Sequence, residues 1–293
     1  MPGNELETLM NTMFLGYKYR KSHDLLYSKD AAVPISLIKM YYSGLVNRLD
    51  VNEINKSFVE RYIKNECFLE DVHNVGEVAG VGVMYEYMHN LDEYEFELFS
   101  IIELHKALYS KSEHSEFGGV LRNTQAFLKD CPIDVSYPDN IFMDLINLED
   151  EFNELKKEAL IMNNTQDYNN LTEFVKKCMM LKSRLLQVHP FGDGNGRVVR
   201  CFINKLFLMA GIPPVYISKN EKEEYKRTLY ESQRYRNAGD IDDDSKYDQL
   251  TNFYLYKICD SIIELDINKS VREEKQYVCY EKKKSKKQMK NNR

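Results

Sequence analysis

The sequence predicts an all-α protein, a mainly helical bundle that carries one small β-hairpin. Three observations lead to this fold class. Apolar residues recur at helical spacing through most of the 293 residues, weak alternation is confined to one segment within 111–140, and no repeat or sharp change of composition divides the chain. A chain of this length can bury a sizeable core, and its 43% hydrophobic and 29% charged residues are ordinary for a globular protein.

Five helices are predicted before the centre of the chain. Apolar spacing places them at 35–49, 78–88, 99–110, 141–156 and 171–188. The small apolar residues of 78–88 suit a helix packed closely against a neighbour. The helix at 171–188 is the clearest, because its apolar residues form one continuous stripe. Between 111 and 140 helical spacing fails, and two glycines followed by weak alternation predict a short hairpin.

Three helices are predicted in the second part. The stretch VVRCFINKLFLMAG forms a helix that Gly211 ends, with Pro213 and Pro214 just beyond it. Two further helices are expected near 219–235 and 247–265. The last residues, EKKKSKKQMKNNR, hold seven Lys or Arg against one Glu, which predicts a solvated, disordered tail rather than an anion-binding arm.

Composition limits the partners that we expect. The net charge of -6 argues against a general nucleic-acid or membrane binder. The start MPGNELETLM has no basic and apolar signal pattern, and no apolar run approaches the roughly 20 residues of a membrane span. Six scattered cysteines without a C-x-x-C pair suggest free thiols in a reducing compartment. We therefore expect a soluble, cytoplasmic protein.

Nine residues between the two central helices concentrate groups that bind phosphate. The loop HPFGDGNGR, 189–197, holds three glycines, whose backbone can approach a ligand closely. The N–H groups of such a turn, leading into a helix N-terminus, bind anions. Arg197 and Arg200 lie three apart on that helix and can face one side, which suits a di- or triphosphate. Phe191 is expected to anchor the loop in the core.

The same loop supplies an acid and a base. Asp193 can hold Mg²⁺, which takes one or two carboxylates and completes its shell with phosphate oxygens and water. His189 follows the preceding helix, where a neutral imidazole can take a proton from a hydroxyl. Each feature alone is more often structural, but their combination indicates nucleotide-dependent group transfer to an alcohol. A Walker-type loop is excluded, because no G-K-[ST] follows the glycines.

The stretch HPFGDGNGRVVR, 189–200, resembles the signature of the Fic family, H-P-F-x-[D/E]-G-N-G-R-x-x-R, and matches every fixed position. The similarity covers roughly 55–260: IIELHKAL resembles the family's upstream helix, GVLRNTQA its flap and EVAGVGVMYEYM an earlier helix. The resemblance implies an N-terminal helical region at 1–54, a Fic domain with preceding regulatory helices at 55–265, and a C-terminal segment at 266–293.

The resemblance implies a protein adenylyltransferase, which transfers AMP from Mg-ATP to a Tyr, Ser or Thr hydroxyl of a target protein. His189 would be the base and Asp193 the Mg²⁺ ligand. Gly196 favours nucleotidyl transfer, because the related Doc subgroup, which transfers the γ-phosphate, carries Lys there. Tyr225 and Lys226 stand where the family often has adjacent tyrosines. The implied nucleotide-binding residues are Gly192, Asp193, Gly194, Asn195, Gly196, Arg197, Arg200, Tyr225, Lys226 and Gln233.

Two further parts follow from the resemblance. The flap is implied to pair with an extended target segment by strand addition, through Val120, Leu121, Arg122, Asn123, Thr124 and Gln125. Many members also carry an inhibitory helix, [S/T]-x-x-x-E-[G/N], whose Glu pairs with the second arginine of the signature. The corresponding region, 59–72, has no clean match. One alignment puts Lys64 at the Glu position and a shifted one offers Glu66, which we expect to contact Arg200.

Other outcomes stay open from the sequence. The same loop could sense ATP without transfer, although the intact His189 favours an enzyme because sensing needs no base. Removal of AMP from a target, transfer of UMP and transfer of phosphocholine are further alternatives, because the loop recognises phosphates and not the group attached to them. Fic proteins often dimerise, so a homodimer is a possible assembly.

Overall fold

The structure is a computed structural model that describes residues 15–17, 27–42, 54, 56–127, 133, 135–233 and 243–265. Helices dominate these residues, which contain no strand, and their buried side chains form one hydrophobic core. The all-α prediction is confirmed. The hairpin stays a prediction: residues 118–127 form no strand, and residues 128–132 and 134 lie outside the described part, as does the basic tail.

Several helices follow one another with short connections, whereas residues 110–140 separate the helix that ends at Tyr109 from the one that begins at Ile141. Short 3₁₀ turns precede several of them, as at Pro138–Asn140 and Lys219–Glu221. We number the α-helices in chain order: α1 Ala32–Tyr42, α2 Lys56–Leu69, α3 Val75–Asn90, α4 Ser100–Tyr109, α5 Ile141–Ile146, α6 Glu149–Thr165, α7 Leu171–Val188, α8 Asn195–Met209, α9 Lys222–Gln233 and α10, residues 248–265.

One predicted helix is two. The stretch 141–156 was predicted as continuous, but the chain turns at Asn147 and Leu148, between α5 and α6. The reason lies in the sequence that follows. Glu149, Asp150 and Glu151 form the first turn of α6, where carboxylates are favoured by the partial positive charge of a helix N-terminus. That acidic run was a start signal within the predicted helix.

Helix α8 forms the centre of the bundle. Almost every residue of α8 is buried, and it packs against α3, α4, α6 and α7. A helix that is buried on all sides cannot shift without disturbing its neighbours. The core therefore holds the loop that leads into α8. At the other end, Gly211, with φ of 72°, follows the last turn of α8 and ends the helix, as predicted.

Helices α3 and α4 approach to backbone contact. A methyl group added at Gly80 would lie 1.8 Å from the carbonyl oxygen of Leu108, and one added at Gly76 would lie 2.3 Å from that of Lys111. Only glycine allows this approach. The contact fixes α4, which faces the central loop, and the first turn of α3 beside that loop.

Candidate active site

The loop between α7 and α8 is closed by its own side chains. Asn195 accepts from the N–H of Phe191 at 3.0 Å and donates to the carbonyl of Phe191 at 2.8 Å. The Phe191 ring is fully buried, as expected of an anchor. His189 has φ of 48° and Gly194 φ of 78°, two left-handed residues that turn the chain between the helices. The loop is thus a rigid link.

His189 lies at the C-terminal end of α7, partly buried. Burial and the positive charge of Arg122 lower the pKa of His189 below its ordinary value. The imidazole is therefore neutral at neutral pH, which is the state that a general base requires.

The N-terminus of α8 already faces a carboxylate. A methyl group added at Gly196 would lie 2.4 Å from Oε1 of Glu70, so the space that glycine leaves is filled by that acid. A helix N-terminus attracts anions, and Glu70 sits where an anionic ligand would bind. In contrast, no atom lies within 4 Å of a methyl group placed at Gly192.

Arg200 is buried between two carboxylates, that of Glu66 in α2 and that of Glu70, the residue after α2. Its Nε donates to Oε2 of Glu66 at 2.8 Å, and its Nη2 lies 2.7 Å from Oε1 of Glu70. Burial raises the pKa of Glu66, although Arg200 opposes that rise. Burial also acts on Glu70, but there the charges of Arg200 and Arg197 prevail and lower the pKa. Arg200 is thus fully engaged from the α2 side.

Arg197 faces the other side of the loop. Its Nη1 donates to Oε2 of Glu77 in the first turn of α3, and its Nη2 to Oδ2 of Asp193, both at 3.1 Å. The Arg197 side chain is 2% exposed. In this state Arg197 therefore links the loop to α3, and both arginines of the signature are paired with acids.

Asp193 offers its carboxylate to solvent, with the side chain 74% exposed. Tyr109 of α4 donates to Oδ2 at 2.9 Å, on the same oxygen as Arg197. Partial burial raises the pKa of Asp193, but the N–H of Gly194 and the charge of Arg197 outweigh it, and the net effect is a lowered pKa. Asp193 is thus ionised at neutral pH.

Asp193 is a single exposed carboxylate. Such a ligand suits Mg²⁺ that is shared with phosphate and water better than it suits a metal ion whose ligands all come from the protein. Within the described residues no cluster of three or more His, Cys, Asp or Glu side chains could hold a metal ion. Mg²⁺ commonly takes one or two carboxylates, with phosphate oxygens and water completing the shell. Asp193 could supply that one carboxylate.

His105 of α4 connects the flap to the loop. The N–H of Gly119 donates to Nδ1 of His105 at 2.8 Å, so Nε2 carries the proton and donates to the carbonyl of Asp193 at 3.1 Å. Its ring stacks on Phe191, with centroids 3.8 Å apart. Burial lowers the pKa of His105 to about 4. The neutral ring therefore links Gly119 of the flap to the backbone of Asp193 through hydrogen bonds on both sides.

The flap residues do not share one environment. Val120, Asn123 and Thr124 are exposed, and Leu121 and Gln125 are partly buried. Arg122 is buried and points inward, so its guanidinium does not face a docking surface.

Two of the three residues expected on the adenine side lie against α7. The Tyr225 hydroxyl accepts from Nζ of Lys182 at 2.7 Å, and its ring lies 6.0 Å from Cζ of Arg200. Gln233 is buried and donates to the carbonyl of Ser183 at 3.3 Å. Lys226 is exposed. Tyr225 therefore lies beside Arg200, Gln233 packs against α7, and Lys226 faces solvent.

Sequence reasoning missed four residues of this site, Glu70, Glu77, His105 and Tyr109. A signal existed for Glu70. In the inhibitory pattern, Glu70 is followed by Asp71 at the position of Gly or Asn, and Asp71 has φ of 58°. Asp tolerates this left-handed conformation better than most residues. His105 and Tyr109 stand four apart on α4, which was also visible in the sequence.

Known proteins resemble the part of the chain that contains this site. Residues 95–207 match the model of the Fic/DOC family, and that range contains α7, the loop and α8 up to residue 207. The Protein adenylyltransferase Fic of Culex quinquefasciatus is 28% identical over 179 residues, 58% of this chain and 31% of that protein. That of Nematostella vectensis is 30% identical over 145 residues, 48% of this chain and 29% of that protein. The matches thus span about a third of these relatives.

Solved structures share the fold. A Fic domain containing signaling protein from Bacteroides thetaiotaomicron superposes with a TM-score of 0.57 at 15% identity, over 78% of this chain and 95% of that one. Fic-1 (aa134 - 508) from C. elegans has a TM-score of 0.50 at 18% identity, over 92% and 75%. In the described part of the chain, no helix combines the length and apolar character of a membrane span.

Proposed function

Because the chain carries a Fic domain, we propose that it is a protein adenylyltransferase that transfers AMP from ATP to a target hydroxyl. The observation that carries the proposal is the loop 189–200, which places a neutral histidine beside an anion-binding helix N-terminus. Relatives named protein adenylyltransferase support a transferase of this type.

The chain's own groups divide the work. His189 takes the proton of the target hydroxyl, whose oxygen attacks the α-phosphorus while pyrophosphate leaves. The N–H groups that begin α8 face the phosphates, and Arg200, once released, holds the outer ones. Asp193 would hold Mg²⁺, which neutralises phosphate charge when bound with ATP. Gly196 leaves the space that a phosphate needs.

We propose further that the described state is autoinhibited. Glu66 and Glu70 occupy Arg200, and Glu70 also fills the space at Gly196. A phosphate cannot share that position with a carboxylate, because both are anions and both need the same donors. Both acids must therefore leave Arg200 before ATP can bind productively.

The flap and the adenine-side residues complete the proposed roles. The exposed flap residues Val120, Asn123 and Thr124 are proposed to pair with an extended segment of the target. Tyr225, which lies beside Arg200, and Gln233, which packs against α7, are proposed to face the adenine side. Location in the cytoplasm remains part of the proposal, as does a homodimer.

Transfer of label tests the reaction. Three purified proteins are compared: wild type, Glu70→Gln, and the double variant Glu70→Gln with His189→Ala. Each is incubated with Mg²⁺ and with ATP labelled at either the α- or the γ-phosphate. We expect self-labelling from α-labelled ATP only, strongest in Glu70→Gln and lost with His189→Ala. His114→Ala is the matched control, because His114 is an exposed histidine outside the loop.

Other outcomes would replace the proposal. Label from γ-labelled ATP would make the protein a kinase. ATP binding without label in any variant would make it a nucleotide sensor or direct the search to another donor. The acids that engage Arg200 also favour a second candidate, removal of AMP from a modified protein. To test it, wild type is added to Glu70→Gln protein that already carries labelled AMP. Release of labelled AMP, lost when the added protein carries His189→Ala, would reveal this activity.

A further inference from the structure

Arg122 is a buried cation whose partners are backbone carbonyls. Its side chain donates from Nε to the carbonyl of His189 at 2.7 Å and from Nη1 to that of Thr124 at 2.9 Å. Nη2 donates to the carbonyls of Ser136 and, at 3.4 Å, Val188. No carboxylate pairs with Arg122 in the described part of the chain. Burying a guanidinium without an acid is costly, which calls for a compensating role.

These bonds surround the base. The backbone N–H of Arg122 also donates to the carbonyl of Pro190 at 2.9 Å. Arg122 therefore holds three successive carbonyls, those of Val188, His189 and Pro190. The middle residue, His189, has φ of 48°, in the left-handed region that residues other than glycine adopt uncommonly. Arg122 holds that conformation from the flap.

The charge of Arg122 acts on the same residue. The C-terminus of a helix carries partial negative charge and favours a protonated histidine. Asp193 of the loop and Glu70 after α2 act in the same direction on His189. Burial and Arg122 oppose them and keep the pKa of His189 lowered. A lysine would keep the charge, but it cannot reach four carbonyls with one fork.

We propose that Arg122 is a positioning residue for His189, which fixes the backbone on both sides of the base and so directs the imidazole at the target hydroxyl. The inference rests on the proposed role of His189. It assigns Arg122 to the reaction and not to target docking.

The first arm of the test measures transfer. Arg122→Lys and Arg122→Met are made in the Glu70→Gln background, and kcat and KM for ATP are measured separately. We expect kcat to fall about 10- to 100-fold in both, the effect of a misplaced catalytic group, with KM for ATP within about twofold. Arg184→Met is the matched control, because Arg184 lies on α7 but pairs with Glu151 away from the loop. It should leave kcat unchanged.

The second arm needs no activity. NMR titration of ¹³C-histidine-labelled protein, with His189 assigned by His189→Ala, should show the pKa of His189 rising in Arg122→Met and staying low in Arg122→Lys. Unchanged titration in a folded Arg122→Met, or a change in KM alone, would overturn the proposal. If Arg122→Met does not fold, Arg122→Lys decides: it must lose kcat while its His189 titrates as in wild type. If the protein proved not to be an adenylyltransferase, the first arm would give no activity to measure, but the titration of His189 in the second arm would still test the role of Arg122.

Discussion

Glu70 and Arg200 meet at the N-terminus of α8, where Oε1 of the acid lies 2.7 Å from Nη2 of the arginine. The same oxygen lies in the space that Gly196 leaves open. One carboxylate therefore satisfies both the arginine and the helix N-terminus, which are the two groups that the proposed ATP site requires. Competition between Glu70 and nucleotide follows from this geometry.

Removing either acid should raise ATP affinity, with different effects on stability. Glu70→Gln should bind ATP about 5- to 150-fold more tightly, the usual range of a coupling between sites. Glu66→Gln should also bind more tightly, but because Glu66 is 1% exposed, this change should lower the free energy of unfolding by about 1–3 kcal/mol. Calorimetric titration and urea unfolding measure the two effects. Equal affinities in all three proteins would rule out the gate.

Gly196→Ala should separate binding from folding. Alanine is the better helix former, and the atoms that its methyl group meets are the flexible ends of Glu70 and Arg200, so Tm should be nearly unchanged. The methyl group would nevertheless occupy the phosphate position, and ATP affinity should fall about tenfold or more, as for the loss of a charge-assisted bond. Gly16→Ala is the control, because Gly16 lies outside the loop and no atom lies within 4 Å of a methyl group added there, and it should bind ATP normally. Normal binding by Gly196→Ala would refute the placement of the phosphates.

Tyr109→Phe should weaken the use of Mg²⁺. The change removes the hydroxyl that holds Oδ2 of Asp193 and leaves the ring in place. Loss of a group that orients a metal ligand typically costs 10- to 100-fold in metal affinity, so the half-saturating Mg²⁺ concentration should rise by about tenfold. Transfer rates at fixed ATP against Mg²⁺ concentration measure it in the Glu70→Gln background. An unchanged Mg²⁺ curve would mean that Tyr109 does not orient the ligand.

His105 should make stability depend on pH. Its pKa is about 4 in the folded state, below the ordinary 6.5, so the unfolded chain binds more protons between these values. The free energy of unfolding contributed by neutral His105 is therefore full above pH 6.5 and is lost as the pH falls towards 4, by about 3 kcal/mol. Urea unfolding of wild type and His105→Gln at pH 7 and 5 should show a smaller pH loss in the variant. Parallel losses would contradict this assignment.

The central helices and the signature loop were predictable because their signals are local. The stripe of 171–188 and the Gly211 stop correspond closely to α7 and to the end of α8. The loop's roles follow from residues within twelve positions. Glu70 was missed because its role depends on where α2 ends: the helix stops at Leu69, and the following residues turn the acid back towards Arg200.

The position of the Arg122 side chain could not be predicted from the sequence. Its place in the flap sequence assigned it to target docking, but nothing local indicates that its side chain and backbone N–H contact the carbonyls of 188–190. Those carbonyls come from a residue range more than sixty positions away. Burial of a cation by distant backbone cannot be inferred from spacing, since it depends on how the flap folds over the helix end.

Helix α2 can be regarded as a tethered ligand of Arg200. Glu66 of α2 and Glu70, which follows it, bind the guanidinium with an effective concentration set by the chain that holds the helix, on the order of millimolar for a short tether. Any contact elsewhere on α2, such as that between Arg61 and Glu264 of α10, adds to this local concentration. If ATP binds Arg200 as proposed, the coupling is reciprocal: a change that loosens α2 should strengthen ATP binding, and bound ATP should loosen α2 by the same factor.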